Sequence, residues 1–406
     1  MRFDIGDFPP NAIADPHDYI TGLCIRNHVP IAAVEAAVPL ANLALWSTGE
    51  LLSPPLKLTK RSDRANCARD RPRGRQQKRC EKNRTPQTCS IIEIAWSSRR
   101  CSSKVCENRH VATVDVIIPA FNAASYLPFA LESVGAQTFD DWHIVLVNDG
   151  STDNTAEVIA PFLDRFGPKI TYIKQENRGL PASRNVAIRS STSEFIALLD
   201  ADDIWMPCRL SESLGPLTTR PEVGLTYGLI TLVDSEGRIS RTWTGNRGHA
   251  EGQIASQIYM RKIELPCPTI TFRRRCVDEI GFFDETMRAT EDRDLWLRIA
   301  LCYEVAFIPE ILASYRISAG SMSTDSRRML DAQLHFIRKH YGSKGCGLGP
   351  RQISMARAYK QQAEALKGQS RVSAALLSAL RAVAIYPLDL DNFRTAASLF
   401  TRWISD

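Results

Sequence analysis

The sequence predicts an α/β protein: a mostly parallel sheet with helices on both faces, followed by a C-terminal helical segment. Three observations carry this. Short β-branched runs alternate with helical stretches between Val114 and Leu199. The strands read as continuous apolar runs, as strands do when both sheet faces are covered. Beyond about Leu330 only the helical period remains.

Val114-Asp115-Val116-Ile117-Ile118 reads as the first strand, ended by Pro119. The spacing of Leu127, Ala130, Leu131 and Val134 predicts a helix over 124–136. A second strand follows at 143–147, a helix at 155–166, a third strand at 170–174, a helix at 180–189 and a fourth strand at 195–199. Glu291 to Asp294 open a further helical pattern, Leu295, Leu297 and Ile299. Helices are expected at 353–367, 371–385 and 391–404, read as a helical cap on the domain before them or as one tetratricopeptide-like hairpin. The segment from about Thr226 to Cys276 holds no motif that can be decoded.

Composition divides the chain near residue 112. Twelve Lys or Arg fall between Lys57 and Arg84 against Asp63, Asp70 and Glu81, so this stretch holds more than the whole net charge of +6. The body of the protein is near neutral, and its charge is no argument for nucleic-acid binding. Prolines punctuate the first 55 residues, where one helical stretch is read at about 31–46, and 57–110 lacks the apolar residues to offset ordering. The expected organisation is a largely disordered, dispensable basic extension at 1–112, a catalytic domain at 113–330 and a helical region at 331–406. The eleven dispersed cysteines favour reduced thiols over a disulfide framework. Neither a signal peptide nor a membrane span is read: the longest apolar run, Ile31 to Leu45, carries Glu35 and is too short.

Ligands of such sheets sit outside the carboxyl ends of the strands. Here those ends are polar: Pro119-Ala120-Phe121-Asn122, Asn148-Asp149-Gly150-Ser151-Thr152-Asp153 and Asp200-Ala201-Asp202-Asp203. Clustered carboxylates repel one another unless a cation neutralises them, and hard oxygen ligands suit Mg²⁺ or Mn²⁺. A solvated acidic turn with Asp203 as helix cap is the alternative. Gly150 permits a tight turn, with Ser151 or Asp153 capping the next helix; a nucleobase hydrogen bond to Asp149 with Phe121 stacked on the ring is the functional reading. Glu291-Asp292-Arg293-Asp294 either answers a helix dipole or projects a carboxylate base. His110, His143, His249, His335 and His340 have no partner at ligand spacing, and Trp205 and Trp296 are expected to pack beneath the acidic motifs.

Seven strings in order resemble the family 2 inverting glycosyltransferases of the GT-A fold. They are Val116 to Asn122, Val147 to Asp153, Asn177 to Asn185, Leu199 to Asp203, Gly281-Phe282-Phe283-Asp284, Glu291 to Arg298, and Tyr315-Arg316 followed by Ser321-Met322-Ser323. The resemblance implies a nucleotide-diphospho-sugar donor, a UDP-sugar by preference, and a divalent metal. Pro119, Phe121 and Asn122 would lie on the donor side, with Phe121 stacking on the base and Asp149 binding it. Asn177, Gly179, Arg184 and Asn185 would shape the loop below the donor phosphates. Asp200 would serve the donor, and Asp202 and Asp203 the metal. Asp292 would be the general base, with Glu291 beside it.

Direct displacement by a deprotonated acceptor hydroxyl would invert the anomeric centre. Phe282 stands where a second glycine is usual and adds bulk toward the acceptor. The expected acceptor is a glycan or a lipid-linked glycan, in polysaccharide or glycoconjugate synthesis, with no nucleic-acid partner. The expected setting is cytoplasmic, with room for peripheral contact at the inner membrane face. A nucleotidyltransferase of similar fold lacks support because no Gly-rich phosphate loop follows the first strand. A non-catalytic sugar-nucleotide binder would have no need of Asp202, Glu291 and Asp292 together.

Overall fold

The computed structural model describes residues 113–243, 248–287, 289–317 and 325–405. The expected extension at 1–112, its helix at about 31–46 and the Ser321-Met322-Ser323 string lie outside the described residues.

The first half follows the sequence pattern closely. β1 (Val114–Ala120), α1 (Leu127–Gly135), β2 (Trp142–Asp149), α2 (Thr155–Phe166), β3 (Ile170–Gln175), α3 (Leu180–Ser190) and β4 (Phe195–Leu198) alternate as expected. β3, β2, β1 and β4 are hydrogen-bonded in that order, all parallel. Every residue of β1 is buried. The reason is the two-residue period of a strand. Val116 and Ile118 pack with Leu127, Leu131 and Leu210 on one face, while Ile117 packs with Ile188, Trp296 and Phe336 on the other. Each such fully buried side chain contributes roughly 1.5–3 kcal/mol.

The second half departs from the simple alternation. β5 (Ile204–Trp205), α4 (Arg209–Thr219), β6 (Val223–Val233), β7 (Ile239–Trp243), α5 (Ala255–Tyr259), β8 (Thr271–Arg273), α6 (Arg274–Ile280), α7 (Glu291–Cys302) and β9 (Glu304–Arg316) complete the domain. The sheet continues from β4 through β8, β6 and β9 to β5, with β7 on β6. Only β6 and β9 are parallel here; β4–β8, β6–β8, β6–β7 and β5–β9 are antiparallel. The parallel character thus belongs to the first four strands and to the β6–β9 pair, and the sheet as a whole is mixed. The undecoded segment 226–276 supplies much of this antiparallel half.

α8 (Ser326–His340), α9 (Leu348–Gly368), α10 (Val372–Ile385) and α11 (Leu390–Ser405) follow. The expected boundary at 330 runs through α8, whose Leu330, Phe336 and Ile337 share the core of Trp296 and Tyr259. α9 joins two cores: Ala358 packs in that of the sheet, and Ala363 and Leu366 pack with Ala375, Ala379, Ala396 and Leu399. Among the described residues no helix is long and apolar enough to cross a membrane.

Candidate active site

The loops after β1 and β2 are welded by the polar residues that mark them. The Asn122 N–H donates to Ser151 Oγ at 3.0 Å, and Asn122 Oδ1 accepts from the Thr152 N–H at 2.8 Å. Asp153 Oδ2 accepts from the Ala124 N–H, and its Oδ1 from the Thr155 N–H that opens α2. Asn122 thereby ties the two loops together while remaining exposed beside Phe121. Pro119 is buried in β1, whereas the Phe121 ring between them is 51% exposed. A large apolar ring is thus held open to solvent at a strand end by a fixed loop.

Asp149 serves the next loop. Its Oδ1 accepts from Gln175 Nε2 at 2.7 Å and the Arg178 N–H at 2.9 Å, and its Oδ2 accepts from the Gly179 N–H at 2.8 Å. At 3% exposure this carboxylate shapes the 177–179 turn. Gly150 makes the arrangement possible. It has φ +73°, and a Cβ there would sit 2.7 Å from the Asn177 backbone nitrogen. Asn177 is exposed on the turn, and Gly179 precedes α3 with φ +89°.

One turn into α3, Arg184 joins the two halves of the domain. Its Nη2 donates to Asp200 Oδ1 at 2.6 Å and to Cys267 Sγ at 3.2 Å, and its Nη1 to Glu291 Oε1 at 3.2 Å. The guanidinium lies 5.4 Å from the Phe283 ring centroid. Burial opposes its charge, but Asp200, Cys267 and Glu291 hold its pKa well above the ordinary arginine value. The fork of an arginine suits this two-carboxylate task. It brings the end of β4 and the start of α7 to the N-terminal half of α3, which the Asp149 loop precedes.

The acids around it are under electrostatic pressure. Burial first, and then Asp200, push Asp202 up to about 6, against the pull of Arg316 and Arg184. Asp203 is 1% exposed; its Oδ1 accepts from the Arg316 N–H at 2.9 Å, and its Oδ2 is buried with no partner among the described residues. Burial, then Asp202 and Asp200, raise it well above the carboxylate range. Asp203 Oδ1 thus ties the end of β9 to the acidic turn. Glu291 is pushed up to about 7 by burial and then by Asp292, with Arg184 opposing. Asp292 is half-buried in the first turn of α7, where its Oδ1 accepts from the Arg293 N–H at 2.6 Å. Thr290 enters this helix at φ +63° with its Oγ1 buried and unpartnered among the described residues. Such backbone strain outside glycine is costly and clusters at functional sites.

The described residues hold no group of three His, Cys, Asp or Glu side chains forming a metal cage. The donor set still fits Mg²⁺ or Mn²⁺, which take one or two carboxylates and complete their shell with phosphate and water. Asp202 carries charge at a cost that a nearby cation would relieve.

Other expected site residues turn out to brace the structure. Asn185 is buried; its Nδ2 donates to the Phe283 carbonyl and Glu285, and its Oδ1 accepts from the Phe283 N–H. It clamps the 283–285 segment to α3. Arg316 donates to the carbonyls of Asp202, Asp234 and Ser235. Phe282 lies under the Arg189 guanidinium at 4.7 Å. Trp205 and Trp296 are buried, as expected.

Sequence reasoning missed Cys267, which sits in a short turn between two prolines and carries no signal of its own. It also missed the partners of two histidines. His143 Nδ1 meets Asp115 Oδ1 at 2.9 Å, and His340 Nε2 meets Asp294 Oδ1 at 2.7 Å. Asp294, fully buried, also receives Lys339 and Arg298, so α8 is latched to α7 two residues past Asp292.

Comparison with known proteins agrees with this architecture. Residues 115–281 match glycosyl transferase family 2. An uncharacterised glycosyltransferase of Nostoc sp. is 31% identical over 218 residues, 51% of this chain and 66% of the relative. The Escherichia coli UDP-Glc:alpha-D-GlcNAc-diphosphoundecaprenol beta-1,3-glucosyltransferase is 25% identical over 223 residues, 54% of this chain and 83% of the relative. In fold, the chain is similar to residues 1–349 of S. aureus TarS, solved in complex with UDP-GlcNAc, with a TM-score of 0.50 at 16% identity over 71% of this chain and 92% of that one. The motifs and the sheet that gathers them therefore agree: residues 115–281 carry the sequence pattern of glycosyl transferase family 2, and the chain carries the GT-A fold.

Proposed function

We propose that the protein transfers a sugar from a nucleotide-diphospho-sugar, a UDP-sugar by preference, to an acceptor hydroxyl, with a divalent metal and with inversion. The observation that carries this reading is the Arg184 bridge, which holds Asp200 and Glu291 on one guanidinium. Acids from separate loops are thereby gathered beside an exposed aromatic platform.

Phe121 stacks on the base, and the turn fixed by Asp149 and Gly150 lies under the diphosphate. Asp202, with Asp200 beside it, would hold Mg²⁺ or Mn²⁺, whose charge stabilises the leaving diphosphate. Asp292 accepts the proton of the acceptor hydroxyl. That oxygen forms its bond to the anomeric carbon as the bond to the diphosphate oxygen breaks, and the nucleoside diphosphate leaves with the electron pair. Glu291 is the positioning acid, tied to Arg184 and half-protonated near neutrality. The E. coli relative is named for a UDP-sugar donor and a diphosphoundecaprenol-linked acceptor. It supports a glycan or lipid-linked acceptor here, in polysaccharide or glycoconjugate synthesis on the cytoplasmic side, where activated donors are made.

The test is Asp292→Asn with donor consumption followed at saturating acceptor. Loss of a positioned base lowers turnover by about 10²–10⁴-fold with little change in donor KM. Near-normal turnover would remove Asp292 from that role. Proton NMR of the first-formed product reads the anomeric configuration, and retention would end the displacement scheme.

A further inference from the structure

Thr290 stands where a helix cap belongs, and it does not act as one. It is the residue before α7, and its carbonyl accepts from the Asp294 N–H at 3.0 Å, the first bond of that helix. A capping threonine has extended backbone, and its hydroxyl accepts from the N–H two or three residues on. Here φ is +63° and ψ 15°, the left-handed region, and the side chain makes no cap hydrogen bond. The residue is 8% exposed, and its Oγ1 is buried without a partner among the described residues. One β-branched residue thus carries two costs, a left-handed backbone and an unpaired buried hydroxyl.

The hydrogen bond that Thr290 does not make is made by its neighbour. The N–H three residues on is that of Arg293, and it donates to Asp292 Oδ1 at 2.6 Å. Asp292 therefore has one carboxylate oxygen engaged as the cap of its own helix. On the reading of Asp292 as the base, we propose that Thr290 is its positioning residue and that the two side chains exchange this one N–H. When Thr290 relaxes to the extended conformation, Oγ1 takes the Arg293 N–H and the Asp292 carboxylate is released to the acceptor hydroxyl. When Thr290 turns left-handed, Asp292 is drawn back. No hydrogen bond is lost in the exchange, because one acceptor replaces another on a single donor.

The surroundings hold one side of this joint and leave room on the other. Asp294 is fully buried and held by Arg298, Lys339 and His340, so α7 itself stays in place. Ahead of Thr290, Thr286, Met287 and Ala289 line a cleft of about 470 Å³ whose opposite wall is α8, at Ala332 and His335. A change of φ at Thr290 displaces the chain before it, and the cleft lies beside that chain.

The test is Thr290→Gly. Glycine takes a left-handed φ without strain and has no hydroxyl, so Asp292 stays on the Arg293 N–H. Turnover is followed as UDP released from UDP-glucose and from UDP-N-acetylglucosamine with Mn²⁺, water serving as acceptor. The expected result is a kcat about tenfold below wild type, with donor KM unchanged and Tm equal or higher. Thr290→Ser keeps the hydroxyl and recovers kcat to within about threefold of wild type. A merely structural threonine would leave kcat of Thr290→Gly at the wild-type value, and that result overturns the proposal. So does Thr290→Ser as slow as Thr290→Gly, or a clearly lower Tm in Thr290→Gly, which would show that the left-handed turn costs nothing. Calorimetry of UDP with Mn²⁺ separates this from the wider function. A wild type that binds no UDP and turns over neither donor ends the reading of the site and the proposal with it, whereas normal binding with unaltered kcat in Thr290→Gly ends the proposal alone.

Discussion

Replacing Arg184 with Met keeps most of the side-chain volume and removes the charge that Glu291 and Asp200 share. Arg184 is 2% exposed, Glu291 8% and Asp200 22%. Breaking a buried pair by removing one partner costs about 3–5 kcal/mol, because the other charge is left uncompensated. Asp200 keeps some water, so the lower end applies, about 3 kcal/mol at pH 8. The cost depends on pH with a definite sign. Glu291 already sits near 7, above its unfolded value of 4.5, and loss of the guanidinium raises it further. A carboxyl raised by folding binds more protons folded than unfolded, so stability falls as pH rises through that interval.

The deficit is therefore largest at pH 8 and shrinks to about half or less near pH 5, where Glu291 is protonated and needs no cation. For a domain of this size, about 3 kcal/mol corresponds to a fall in Tm of about 6–12 °C. Differential scanning calorimetry of wild type and Arg184→Met at both pH values reads it. Equal deficits at the two values, or a loss below about 0.5 kcal/mol at pH 8, would refute the bridge as the joint between the two halves. Arg184→Lys, which keeps the charge but not the fork, falls between the two proteins.

Three further outcomes are expected. Gly150→Ala forces a side chain onto a φ of +73° and to within 2.7 Å of the Asn177 nitrogen. It costs about 1–3 kcal/mol and weakens UDP binding by calorimetry; unchanged stability and affinity would show the turn to be free to move. Asp202 stands at about 6, so protons compete with Mn²⁺ there. In the presence of UDP, Mn²⁺ affinity weakens up to about tenfold per pH unit below 6, and a flat titration from pH 5 to 8 would place the metal elsewhere. Asp294→Asn weakens the acceptor of Lys339, His340 and Arg298. It lowers stability at pH 7 by about 2–3 kcal/mol. Hydrogen bonds from His340 and Lys339 outweigh burial and hold Asp294 well below the carboxylate range. Its stabilisation is present above the unfolded value of 3.8 and is lost as pH falls below it, so wild type and variant converge in acid; a constant gap counters this.

The parallel half of the fold was legible because β1, β2 and β4 are buried on both faces and read as continuous apolar runs. The mixed half was not. β8 has three residues and β5 two, too short for a period to register, and both are held by pairing with strands distant in sequence. The acidic strings were visible as strings, but their division of labour was not. Nothing in Asp200-Ala201-Asp202-Asp203 says that Asp203 faces inward to the Arg316 N–H while Asp202 keeps contact with water. Asp149 and Asn185 read as ligand contacts because polar residues at strand ends and helix starts suggest one. Their donors and acceptors come from loops 26 to 100 positions away, a relation that only the fold creates. Cys267 and His340 were missed for the same reason.

The central claim is that acids from three separate loops close on one diphosphate, with Asp292 on the acceptor side. A crystal structure of the protein with UDP and Mn²⁺, the metal located by its anomalous scattering, tests this most directly. The account predicts Mn²⁺ coordinated by Asp202 and the diphosphate, uracil on Phe121, and Asp292 open to the face opposite the leaving group. UDP bound away from the Arg184 cluster, or Mn²⁺ held without Asp202, would contradict it.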